Sequence, residues 1–133
     1  MKESHMRQLI VKLLKPLHAI SVENGGCHPG TPDVSYADGW IELKATERWP
    51  ARPETVVKLR HTMTQQQKIF HVKRCEAGGS SWVLVTIAGE WLLFDGACAA
   101  RVLGSGTRQD FYRHAIEMWD GMPTYTQLQC HLI

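Results

Sequence analysis

Asp33, Glu42 and Lys44 stand in the segment Gly30-Thr31-Pro32-Asp33 … Gly39-Trp40-Ile41-Glu42-Leu43-Lys44, and their spacing puts two carboxylates and an amine on one surface. Residues 33–37 and 40–45 are strand-like, and Asp38-Gly39 between them is a strong hairpin-turn signal. Pairing outward from that turn sets Ala37 against Trp40, Tyr36 against Ile41, Ser35 against Glu42, Val34 against Leu43 and Asp33 against Lys44. Side chains alternate along a strand, and opposed residues share a face. Asp33, Ser35, Glu42 and Lys44 therefore line up together, while Val34, Tyr36, Ile41 and Leu43 point the other way.

Two carboxylates held close repel each other, and burial makes their charged forms costlier still. A hard divalent cation resolves that conflict, because Mg²⁺ favours one or two carboxylates plus waters and phosphate oxygens. A bound metal lowers the pKa of a coordinated water and offsets charge on a phosphoryl group. Lys44 beside it could steady an attacking hydroxide or a phosphate in transition. The plain alternative is an exposed ladder in which Lys44 neutralises Asp33 and Glu42, and the spacing alone leaves both open.

Pro32-Asp33 followed by Glu42-Leu43-Lys44 resembles the PD-(D/E)xK signature of restriction-enzyme-like nucleases. The fuller form, Gly-x-Pro-Asp-Val, a short Gly-containing turn and Trp-Ile-Glu-Leu-Lys, is similar to the VRR-NUC branch, which is related to archaeal Holliday-junction resolvases. That family carries a Glu on its first helix, which Glu3 matches, and a Gln on the helix after the hairpin. Met63-Thr64-Gln65-Gln66-Gln67 opens such a helix, and Ala77-Gly78-Gly79 closes it; the distance to that closure selects Gln67, with Gln66 the rival. The similarity spans about residues 3–95. It implies that Asp33 and Glu42, with the Leu43 carbonyl and Glu3, hold Mg²⁺ or Mn²⁺, and that Lys44 and Gln67 complete the catalytic set.

With 133 residues the chain is expected to form a single domain, and 44% hydrophobic residues suffice for one core. No run approaches membrane-spanning length, and the N-terminus lacks a signal-peptide h-region, so a cytoplasmic location is expected. Cys27, Cys75, Cys98 and Cys130 match neither a zinc site nor a redox pair and read as reduced, mostly buried thiols; Cys27-His28 lacks metal partners at ligand spacing. A net charge of +2 argues nothing about nucleic acid by itself. Between Thr55 and Cys75, however, no acid interrupts Lys58, Arg60, Lys68, Lys73 and Arg74, which sit beside His61 and His71. Such a stripe suits a phosphate backbone as readily as a solvated helix face.

These residues need positioning elements. Met6, Leu9, Ile10, Leu13, Leu14 and Leu17 recur at amphipathic-helix spacing, and Glu3 extends their buried stripe. Pro16 should end or bend that helix, and residues 18–22 read as a short strand. Glu23 competes as the extra carboxylate, but it falls near the turn-forming Asn24-Gly25-Gly26. Residues 46–54 form a loop in which Arg48, Trp49 and Arg52 could touch substrate, although a Trp capping the core edge accounts for Trp49 as well. Val56-Val57-Lys58-Leu59 reads as a strand. On the following helix Gln67, His71 and Arg74 share a face that could look at the catalytic groups and at DNA. Trp82–Ile87 and Trp91–Phe94 form a second hairpin, Gly104-Ser105-Gly106 a loop, Arg108–Trp119 a helix, and Tyr125–Ile133 a mildly β-prone tail.

The expected fold is α/β with a restriction-endonuclease-like core, a central mixed β-sheet flanked by α-helices. The expected function is metal-dependent, structure-specific cleavage of DNA, on branched substrates such as Holliday junctions, by a homodimer. A non-catalytic DNA-binding module and a general flap or single-strand nuclease are the alternatives.

Overall fold

Strands β1 (Ile20–Ser21), β2 (Val34–Tyr36), β3 (Gly39–Thr46), β4 (Ser80–Ile87), β5 (Glu90–Asp95) and β6 (Glu117–Trp119) form one sheet in chain order. The computed structural model describes residues 1–22 and 28–133. Neighbouring strands are antiparallel except β3 and β4. A parallel pair needs a crossover, which α2 (Gln65–Glu76) supplies. This is the mixed α/β sheet expected.

Each face of the sheet buries its own apolar layer. Met6, Ile10 and Leu14 from α1 (Glu3–Leu13) and its C-cap pack with Val34, Tyr36, Ile41 and Leu43, joined by Leu128 and Leu132 of α5 (Tyr125–Leu132). On the other face Val83, Val85, Leu92 and Phe94 pack with Ala99 and Val102 of α3 (Gly96–Val102) and Phe111 of α4 (Arg108–His114). Each Leu or Ile so buried stabilises by roughly 1.5–3 kcal/mol. Pro16 sits in a 3₁₀ turn, Lys15–Leu17, that ends the first helix where the sequence placed the break.

The hairpin register differs from the expected one by two residues. Val34 pairs with Ile41, Ser35 with Trp40 and Tyr36 with Gly39, so Ala37 and Asp38 make the turn. Gly39 serves another need: a Cβ there would lie 2.4 Å from the Ser80 carbonyl oxygen of the adjoining strand. A slip of two keeps every side chain on its face, so the alignment of Asp33 with Glu42 and Lys44 survives.

Three element assignments are corrected. Among the described residues, 56–59 make only the bridge Val56↔Thr107, because β2 and β4 already occupy both edges of β3. The expected helix from Arg108 stops at His114, and residues 117–119 pair with the free edge of β5. The tail is a helix, not β-prone: Thr124 and Gln127 form a capping box, and Tyr36 Oη donates to the Leu132 carbonyl at 2.7 Å, tying α5 to the sheet. The thiols are also less buried than expected, with Cys75 and Cys98 half-buried and Cys130 exposed. Cys27 and Glu23 lie outside the described residues.

Candidate active site

Asp33, at the bend entering β2, is fixed by β3. Its Oδ2 accepts the Leu43 backbone N–H at 2.9 Å, which orients the carboxylate toward the strand carrying Glu42 and Lys44. The N–H and C=O of one strand residue leave by the same edge. The Leu43 carbonyl is therefore turned toward Asp33.

Glu42 and Lys44 are almost wholly buried, at 2% and 3% exposure. Lys44 Nζ lies 3.6 Å from Glu42 Oε2, 3.2 Å from Gln67 Oε1 and 3.5 Å from the Thr62 carbonyl oxygen. Gln67 Nε2 donates to Glu42 Oε2 at 3.1 Å. The amide oxygen of Gln67 also accepts the Thr64 N–H at 3.0 Å, closing the capping box at the start of α2. One side chain thus starts the helix and joins the ammonium to the carboxylate. Of the two candidate glutamines, Gln67 lines the pocket with Glu42 and Lys44, and Gln66 lines a separate groove.

Burial pushes the Glu42 carboxyl well above the ordinary carboxylate range. The charge of Asp33 adds to the rise, and Lys44 opposes it. The ion pair with Lys44 does not prevail: one ammonium at 3.6 Å, shared with an amide and a carbonyl, does not offset desolvation plus a second carboxylate. Glu42 Oε1 is buried and has no hydrogen-bond partner among the described residues. An orphaned carboxylate oxygen beside a second carboxylate fits a cation, and Mg²⁺ in particular takes one or two carboxylates and completes its shell with water and phosphate. Among the described residues no three His, Cys, Asp or Glu side chains form a cage that would hold an ion by themselves.

Glu3 reaches the rim of this pocket of about 250 Å³ from the first turn of α1. Its Oε2 lies 2.7 Å from His61 Nδ1, and its charge adds to the rise at Glu42. Arg7 and Ser4 line the same pocket and were missed in the sequence. The available signal was spacing, since Arg7 follows Glu3 by one helical turn.

The expected basic residues scatter. Arg48, Arg52 and Lys58 are exposed and do not line the pocket, and Arg60 pairs with Glu47 at 2.7 Å. Lys68 is half-buried on α2. His71 is a correction: it has no exposed surface, its Nδ1 lies 2.8 Å from Ser81 Oγ, and burial pulls its pKa down to about 4, so it cannot meet DNA. Trp49 also packs inward, edge to face on Phe111 with Nε1 donating to Glu90. Arg74 lies away from the carboxylates, over the rings of Trp40 and Phe70.

The chain superposes on Hjc, a Holliday junction resolvase of the archaeal hyperthermophile Archaeoglobus fulgidus, with a TM-score of 0.52 over 84% of this chain and 90% of that one. The fold is resolvase-like. Sequence identity is 17%, so the likeness is one of fold. Neither a model of a known family nor a curated protein sequence matches the chain.

Proposed function

We propose that this chain is a metal-dependent deoxyribonuclease of the VRR-NUC branch of the PD-(D/E)xK superfamily, acting on branched DNA as a homodimer. The observation that carries this reading is the convergence of Asp33, Glu42 and Lys44 in one pocket, with Glu42 Oε1 buried and without a partner among the described residues. Asp33, Glu42 and the Leu43 carbonyl, with Glu3 at the rim, would hold Mg²⁺ or Mn²⁺. When bound, such an ion lowers the pKa of a coordinated water and offsets charge on the phosphate. Lys44, held by Gln67 and the Thr62 carbonyl, presents a buried ammonium to negative charge developing on the phosphate oxygens. Gln67 keeps Lys44 and Glu42 in register, and its amide would orient a water or a phosphate oxygen.

The likeness to a resolvase supports branched DNA as the substrate, and symmetric cutting of a four-way junction needs two sites related by a two-fold axis. The test is a panel of labelled single-stranded, duplex, flap, splayed-arm and four-way DNAs with and without Mg²⁺ or Mn²⁺. Cleavage that needs metal and disappears in Asp33→Ala and Lys44→Ala is expected. Near-normal rates in those folded variants would end the proposal. Light scattering should give twice the 15.1 kDa chain mass, and junctions should be cut at paired positions. A monomer that prefers flaps points instead to a general structure-specific nuclease. No helix among the described residues is long and apolar enough to cross a membrane.

A further inference from the structure

Beside the acidic pocket, across the first turn of α2, lies a second and larger groove of about 1060 Å³. Gln66 lines the groove and Gln67 the pocket, so consecutive residues form the divide between them. Trp40 of β3 and Ile69, Phe70, Lys73 and Arg74 of α2 build its walls. Trp40 and Phe70 meet edge to face with ring centroids 5.7 Å apart. The Arg74 guanidinium carbon lies 4.8 Å from the Phe70 ring centre and 5.7 Å from that of Trp40. Gly79 leaves room for it, since a Cβ there would meet Arg74 Cδ at 2.8 Å.

The chemistry of this groove is selective. Its described lining carries Lys73 and Arg74 and no acid, while Trp40 and Phe70 are half-buried and Ile69 is 42% exposed. Aromatic faces next to cations stack bases and hold the phosphates between them. A solvated helix face would not collect a Trp, a Phe and an exposed Ile around those cations. Position matters as much. Trp40 and Glu42 point to the same face of β3, two residues apart, about 6.6 Å along the strand. A chain whose phosphate rests at Glu42 therefore has an aromatic ring one side-chain step away.

We propose that this groove binds unpaired nucleotides running off the cut phosphate, stacking bases on Trp40 and Phe70 and holding phosphates on Lys73 and Arg74. This rests on reading the acidic pocket as a nuclease site, and it adds that a branched substrate with a single-stranded segment beside the cut is held more tightly than a fully paired one. Because binding can be measured without cleavage, the two readings fail separately.

The experiment uses the full chain in EDTA, with fluorescence anisotropy on a labelled single strand, a splayed-arm DNA and a blunt duplex of the same sequence. Phe70→Ala and Arg74→Ala should weaken the single strand and the splayed arm about tenfold more than the duplex. Intrinsic tryptophan fluorescence should fall on single-strand binding in wild type but not in Trp40→Ala. The exposed Lys73→Ala guards against misfolding of the aromatic variants and should show the same selectivity with an unchanged thermal midpoint. Equal loss on all three DNAs, or none, overturns the proposal. So does a dimer that the variants convert to monomer at constant single-strand affinity, since the groove would then be a contact between copies of this chain. Selective binding loss in a wild-type protein that cuts nothing would keep the groove and remove the nuclease.

Discussion

Gln67 and Lys44 meet through a single amide oxygen, which lies 3.2 Å from the ammonium and 3.0 Å from the Thr64 N–H that starts α2. The opposite end of the same amide donates to Glu42 Oε2 at 3.1 Å. Helix capping therefore fixes the side chain that organises the buried charges. The two roles separate by mutation. Thr64→Ala removes the hydroxyl that accepts the Gln67 N–H and should cost about 1 kcal/mol of stability. Its cleavage rate, measured well below the melting temperature, should stay within a few-fold of wild type. Gln67→Ala leaves Lys44 and Glu42 short of a partner and should lower the rate tenfold or more. Equal effects of the two on rate would show that Gln67 acts only as a cap.

Gly30 makes a second link between the Asp33 segment and α2. Its φ is +83°, and a Cβ on it would lie 2.3 Å from the Gln66 carbonyl oxygen and 2.9 Å from the Gln67 nitrogen. Gly89, in the turn between β4 and β5, has φ +84° but open space around it. Gly89→Ala should therefore cost only the left-handed strain, about 1 kcal/mol. Gly30→Ala adds a clash with backbone, so it should cost clearly more in denaturant titrations and should also slow cleavage by displacing Gln67. Matching stability losses at the two glycines would refute the close packing of Gly30 on the first turn of α2.

Why the site was legible and parts of the fold were not follows from the kind of signal each leaves. Asp33, Glu42 and Lys44 share a face by strand alternation, a local rule that a two-residue slip in register does not disturb. The helices bearing Glu3 and Gln67 were legible from apolar spacing and from turn chemistry. Residues 117–119 became a strand because the edge of β5 was open, and 56–59 did not because β3 had no open edge. Neither fact is written locally. The helix at 125–132 was legible and missed, since Thr124 and Gln127 have capping-box spacing. His71 shared the helical face of Gln67 as the spacing said, but spacing does not say that Ser81 and Gly96 close over it.

A cation at Asp33 and Glu42 should bind the folded chain far better than the unfolded one, so it should raise the melting temperature. At a free concentration one hundred times the dissociation constant, the gain is about 2.7 kcal/mol. Mn²⁺ should raise the midpoint of wild type, EDTA should reverse it, and Asp33→Ala should show no response. Glu42→Gln should abolish the response as well, while relieving the burial of a carboxyl whose charged form is disfavoured. A midpoint that moves with Mn²⁺ in Asp33→Ala would place the ion elsewhere.

His71 gives the fold a pH dependence of its own. It has no exposed surface, and burial is the main cause of its fall from 6.5 to about 4, with Lys44 adding to it and Asp95 opposing. The unfolded chain thus takes up a proton at this residue over a range where the folded chain does not. Stability from the neutral ring is complete above pH 6.5 and is lost as pH falls toward 4. The loss should approach 3 kcal/mol, at about 1.4 kcal/mol per pH unit. His71→Gln keeps a polar group near Ser81 but cannot titrate, so its urea midpoints should decline less steeply between those pH values whatever its stability at pH 7. Parallel pH profiles for the two proteins would mean that the ring is already protonated inside the fold. That outcome is hard to reconcile with a buried imidazole Nε2 that has no hydrogen-bond partner among the described residues.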